Sequence, residues 1–278
     1  MPVRVLEQFV RGKQTDQSLC EDRLVVTSHF VAVIDGVTSK SAYTWQGESS
    51  GVHAGKLIEQ VLEKAGPAIS FDALLDEINR RFQALYATLG LAGHMKAHPI
   101  DRLQACLCVY SLERNELWFV GDCQALASGV LYAHPKKIDL LCAELRSVIL
   151  EAELRHGATL EAIGADDPGR RFILPLIKAA KCFGNVDQGH PYDYALIDGS
   201  EIPAGHRHVY RLDALPQEII LASDGYPELF ATLAQSEAHL QTVNAKDPLC
   251  FRENKGTKGI APQNDSFDDR AYIRFVAQ

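Results

Sequence analysis

Acidic residues recur in this sequence where apolar runs begin or end. Asp35-Gly36 follows VAVI, Gly121-Asp122 follows LWFV, Ser223-Asp224-Gly225 follows IILA, and Asp268-Asp269 stand just before AYIRF. Glu21-Asp22 stand at the entrance of the first such run. Taken singly, Asp-Gly after a strand is a turn, because both residues suit turn backbone. Five acidic sites with one placement point further: if the strand ends converge on one cleft, carboxylates crowded there raise one another's pKa unless cations neutralise them.

Hard oxygen ligands without nearby His or Cys favour Mg²⁺ or Mn²⁺ over zinc. An Asp that bridges two such ions holds them about 3.5–4 Å apart, and the pair acidifies water for in-line attack on phosphorus. The same charges stabilise the phosphoryl oxygens. A Gly beside the metal Asp exposes a backbone carbonyl as a further ligand. The chemistry implied is hydrolysis of a phosphate monoester.

The elements that would position these acids can be read coarsely. Leu24 to Ile34 reads as strand ending at Asp35-Gly36. A helix starts at Ser49, with Val52, Leu57, Ile58, Val61 and Leu62 on one face, and stops before Gly66-Pro67. A second begins near the cap Ser70 and carries Leu74, Leu75, Ile78, Phe82, Leu85 and Leu89 up to Gly90. Gln104 to Tyr110, Glu116 to Val120 and Ala125 to Tyr132 read as strands of an antiparallel meander. Leu140 to Lys181 reads as helical, interrupted at Pro175. Strands resume at His208 to Leu212, Ile219 to Ala222 and Ala271 to Val276. Strands on both sides of two helical blocks, without strict alternation, give an α+β class with mainly antiparallel sheets.

Composition narrows the function. A net charge of −8 argues against gripping nucleic acid, which is dominated by Lys and Arg on phosphates. The start MPVRVLEQFV lacks a secretory apolar core, and no run approaches the roughly 20 apolar residues of a membrane span, so a cytoplasmic protein is expected. Seven Cys without C-x-x-C spacing suggest neither disulfides nor structural zinc. His206 and His208 alternate about Arg207, but two ligands are too few for a metal site.

In order, CEDR at 20–23, VAVIDGV at 31–37, LWFVGDCQAL at 117–126, IILASDGY at 219–226 and DDRAYI at 268–273 resemble the motifs of the metal-dependent type 2C serine/threonine protein phosphatases. The resemblance runs from about residue 14 to the end and is weakest between 133 and 205. It implies one catalytic domain over 1–278, a sandwich of two antiparallel β-sheets flanked by helices (α-β-β-α), and a helical and loop insertion at about 133–205. It implies two Mn²⁺ or Mg²⁺ ions. Asp35 would bridge them, Glu21 and the Gly36 carbonyl would hold one, and Asp224 and Asp268 the other, with Asp35 and Asp224 central to catalysis by metal-bound water. Asp22 and Asp269 would lie just behind, the reverse assignment of Asp268 and Asp269 staying open, and Asp122 would support a third ion.

The departures are equally specific. Gln17 stands where the family carries an Arg for the substrate phosphate, and an amide cannot replace a guanidinium fork. Arg11, Lys13, Arg23 and Lys40 are the candidates for that role. Thr38-Ser39 replace the usual Gly-Gly, and Cys20 and Cys123 stand where Asn and Ser are common. The leading expectation is a monomeric phosphatase of phosphorylated serine or threonine in a protein, with no nucleic-acid or membrane partner. The rivals are a pseudophosphatase or regulatory binding module of the same fold, and a phosphatase of a small nonprotein ester.

Overall fold

A computed structural model describes residues 3–45, 47–213 and 217–277. In chain order the elements are β1 (Val3–Arg11), β2 (Arg23–Val26), β3 (Phe30–Gly36), α1 (Ser50–Lys64), α2 (Phe71–Thr88), α3 (Ala92–Ala97), β4 (Ala105–Ser111), β5 (Glu116–Val120), β6 (Gln124–Ala127), β7 (Val130–Ala133), α4 (Lys137–Arg155), α5 (Leu160–Ala165), α6 (Pro168–Ala179), β8 (His208–Arg211), β9 (Gln217–Ala222), α7 (Leu233–Lys246) and β10 (Arg270–Ala277). The strands form two five-stranded sheets, β1-β10-β9-β6-β7 and β2-β3-β4-β5-β8, in which every strand pair is antiparallel. The expected two-sheet α+β class is the observed one.

Alternation along β3 explains the layering. Val31 and Val33 point between the sheets, where they meet Cys108, Phe119, Leu221 and Ile273. Phe30, Ala32 and Ile34 point outward onto Ile58 and Leu62 of α1 and onto Leu74, Ile78 and Phe82 of α2. Each large apolar side chain so buried contributes roughly 1.5–3 kcal/mol. On the far side, Ile220 and Tyr272 of the other sheet pack on Leu240 of α7. The period of two continues past Ile34, so Asp35 falls on the face between the sheets, at their open end.

Four local readings need correction. Leu24 to Ile34 is two strands, because the Thr27 hydroxyl accepts from the backbone N–H groups of His29 and Phe30 and turns the chain. Ala125 to Tyr132 is also a hairpin, since Ser128 and Gly129 both have positive φ, the pattern of a type I′ turn. β5 and β6 are not neighbours in one meander: Gly121-Asp122 carries the chain from one sheet to the other. Pro175 lies inside α6 without ending it, on the exposed side of the helix. Among the described residues, no helix is long and apolar enough to cross a membrane.

Candidate metal centre

Both sheets deliver their acids to one end of the sandwich. Asp35 is the penultimate residue of β3, opposite Cys106 of β4, Asp122 follows β5, Asp224 follows β9, and Asp268 precedes β10. With Gly36 these four line one cleft of about 130 Å³, room for several waters or a small oxyanion. Its cationic walls are Lys40, Lys136 and Lys258.

Glycines set the closeness of the backbone here. A Cβ on Gly36 would lie 2.6 Å from the Glu21 carbonyl oxygen and 2.7 Å from that of Gly51, so the end of β3 is pressed between two main chains. A Cβ on Gly51 would lie 2.6 Å from Glu21 Oε1. Gly121, at φ +89°, brings the crossing between sheets against Cys106, where a Cβ would fall 2.3 Å from Sγ.

The acids divide by how they are compensated. Burial raises Asp35 well above the ordinary carboxylate range, and Asp224, Asp22 and Asp122 add repulsion. Asp224 is pushed up to about 7 by its place in the cleft and by Asp122 and Asp268. Its side chain is exposed to solvent, so the two neighbouring carboxylates carry the shift. Asp22 is buried and raised too, against a hydrogen bond from Ser223. For Asp122, burial is outweighed by Lys136, whose Nζ lies 2.9 Å from Oδ2, and the carboxyl is held low. For Asp268, burial is outweighed by Lys258, 2.7 Å from Oδ2, and by Lys13, 3.0 Å from Oδ1.

Glu21 does not line the cleft. It is 3% exposed, and its oxygens accept from Ser49 Oγ at 2.6 Å and Thr38 Oγ1 at 2.5 Å. Asp269 lies behind as well, accepting from the backbone N–H groups of Lys13 and Glu21 at 2.7 and 2.9 Å. Gln17 turns into its own loop, bonding Gly12 N and Gln14 O. Arg11 pairs with Asp265 on the exposed rim, and Arg23 with Glu59. Of the four candidates for holding phosphate, Lys40 alone lines the cleft; Lys13 is buried among acids.

Asp35 and Asp122, with Asp224 lining the same cleft, are the residues that could hold a hard divalent cation. Oδ1 of Asp122 is buried without a hydrogen-bond partner, and donor atoms of Asp35, Asp122 and Cys106 lie within 4.8 Å of one another. Burial keeps the Cys106 thiol protonated, with Asp122 adding to the effect, so the hard oxygens remain the ligands on offer. Lys136 and Lys258 were not singled out by the sequence, and Thr38 was noted only as a departure from the usual Gly-Gly. Ser49 carried a signal as the residue at the start of α1, which it caps.

No protein-family profile matches the sequence, and no curated protein matches it. Among solved structures, the serine/threonine phosphatase Stp1 from Staphylococcus aureus aligns over 100% of this chain and 96% of its own, with a TM-score of 0.50 at 12% identity. The serine/threonine phosphatase PstP/Ppp of Mycobacterium tuberculosis aligns over 99% of both chains at 0.47 and 17%. PppA of Pseudomonas aeruginosa aligns over 99% of this chain and 98% of its own at 0.48 and 14%. The Stp1 likeness shows the fold: this chain has the architecture of the type 2C serine/threonine phosphatases, at a distance in sequence.

Proposed function

We propose that the chain is a divalent-metal-dependent phosphomonoester hydrolase acting on phosphoserine or phosphothreonine in proteins. One observation carries the reading: acids from four strand ends, far apart in sequence and drawn from both sheets, meet in a single cleft with more negative charge than its lysines balance. Asp35, Asp122 and Asp224 would hold a Mn²⁺ or Mg²⁺ ion. A bound ion of this kind supplies Lewis acidity and an acidified water for attack on a phosphate ester.

The chain's own residues supply the rest. Asp35 is fixed by the packing of Gly36, so the ligand set is pre-organised. Lys40 takes the part of the missing phosphate-binding Arg. Burial and the nearby Lys258 and Arg170 depress it to about 8, and among the described residues its one hydrogen bond is to the Thr38 carbonyl at 2.6 Å, which leaves donors for phosphoryl oxygens. A further cavity of about 380 Å³ continues from Asp122, Asp224 and Asp268 past Leu140, Tyr226, Pro227 and Phe267. That apolar room suits residues flanking a phosphorylated side chain and favours a protein over a small ester.

The test compares phosphate release from phosphoserine and phosphothreonine peptides with release from small phosphate esters, in Mn²⁺. Faster turnover of the peptides is expected; no release above Mn²⁺ alone sinks the proposal. The inward turn of Gln17 favours a second reading, a regulatory module that keeps the fold and docks a partner. Calorimetric uptake of Mn²⁺ without turnover of any ester supports that reading.

A further inference from the structure

Two of the acids expected to hold divalent ions already share a cation that the chain supplies. Nζ of Lys13 lies 3.0 Å from Asp268 Oδ1, 3.3 Å from Asp269 Oδ2 and 3.5 Å from Glu21 Oε2, and donates to Thr38 Oγ1 at 3.1 Å. Lys13 is only 8% exposed, so these oxygens replace its water shell. An ammonium has three donors, and Asp268, Asp269 and Thr38 use all of them. Thr38 passes its own proton on to Glu21, completing a closed set.

The backbone fixes the same arrangement. Asp269 accepts from the main-chain N–H of both Lys13 and Glu21, so the side chain of Lys13 enters a nest whose walls are tied to its own loop. A divalent ion at Glu21 would have to strip hydroxyl bonds from Ser49 and Thr38 and sit beside the ammonium. Asp35, Asp122 and Asp224 present the opposite case: among the described residues only Asp122 of the three has an ion pair, with Lys136, while Lys40 and Lys258 line the walls without pairing to any of them.

We propose that Lys13 is a built-in cation standing in for one of the two divalent ions, so that this chain binds a single ion, among Asp35, Asp122 and Asp224. The proposal rests on the metal-dependent reading of the cleft but not on catalytic turnover. Lys13 acts on Glu21 and Asp268 as a positioning residue.

Isothermal titration of the full chain with Mn²⁺, paired with electron paramagnetic resonance of the bound ion, is expected to give one equivalent and a magnetically isolated signal. Lys13→Met keeps the length of the side chain and removes its charge; it is expected to take up two equivalents and show exchange coupling between them. Lys13→Arg should stay at one. Two equivalents on the unchanged chain, or one on Lys13→Met with native circular dichroism, overturns the proposal. Should Lys13→Met fail to fold, the count on the unchanged chain decides alone. Phosphopeptide turnover is measured in parallel: one equivalent without turnover removes the phosphatase reading and keeps the Lys13 assignment, whereas turnover with two does the reverse. No uptake overturns both.

Discussion

Lys136 and Asp122 form an ion pair of 2.9 Å, each side chain only 13% exposed, at the point where the chain has just crossed between sheets and α4 is about to begin. Removing one partner of such a pair leaves the other charge buried and uncompensated, at a cost of about 3 kcal/mol. Lys136→Met should therefore lose about that much stability in urea denaturation without divalent metal. Adding Asp122→Asn should recover most of it, and a double variant as unstable as the single one contradicts this account.

Asp35 presents the opposite case, a carboxylate that the metal-free fold tolerates badly. Asp35→Asn should raise the stability of the metal-free protein by about 1 kcal/mol, the usual gain when a strained functional group is relaxed. The same change should abolish the rise in Tm on adding Mn²⁺ and lower phosphate release by roughly 10²–10³-fold, the scale on which one pre-organised electrostatic partner is lost. Paired melting curves in chelator and in Mn²⁺ check all of this except turnover.

Gly36→Ala places a methyl group against two carbonyl oxygens that belong to main chain and cannot swing aside. Overpacking of this kind costs about 1–3 kcal/mol, and the displacement falls on Glu21 and the first turn of α1. Lower Tm together with weaker Mn²⁺ uptake is the expected pair of results. Unchanged metal uptake would detach Gly36 from the centre.

A pH effect arises outside the cleft. The rings of His134 and His208 stack 3.7 Å apart, and burial together with His208 depresses His134 to about 4. The neutral ring can accept from the Tyr210 hydroxyl, 3.2 Å away. Between about 6.5 and 4 the unfolded chain binds the proton that the folded chain refuses, so stability is full above that window and falls as pH falls through it. His134→Phe should flatten this part of the stability profile relative to the unchanged protein. Parallel profiles would show that the stacked pair plays no part.

How much of this was legible in the sequence depends on the kind of signal. The strand-end acids were visible because short apolar runs mark β3, β5, β9 and β10, and Asp interrupts or precedes them abruptly. β1 was missed because it is half exposed and its register shifts between Val5 and Glu7, which breaks the alternation. α7 was missed because it buries only Ser236 and Leu240, too little to write a helical period. The lysines were illegible for a different reason: Lys13 meets Asp268 across 255 residues, and no local pattern records a pairing at that distance. Four of the expected acids, with Gly36, line the cleft, while Glu21 lies behind it, a separation made by Ser49 and Thr38 and invisible to spacing.

The hydroxyl of Ser49 serves two masters: its oxygen accepts from Val52 N at 3.3 Å while its proton goes to Glu21 at 2.6 Å. Fraying at the start of α1 therefore loosens an acid more than twenty residues upstream, and any agent that reseats Glu21 slackens the helix. Deuterium uptake at the Val52 amide becomes a remote gauge of what occupies the nest, readable without catalysis.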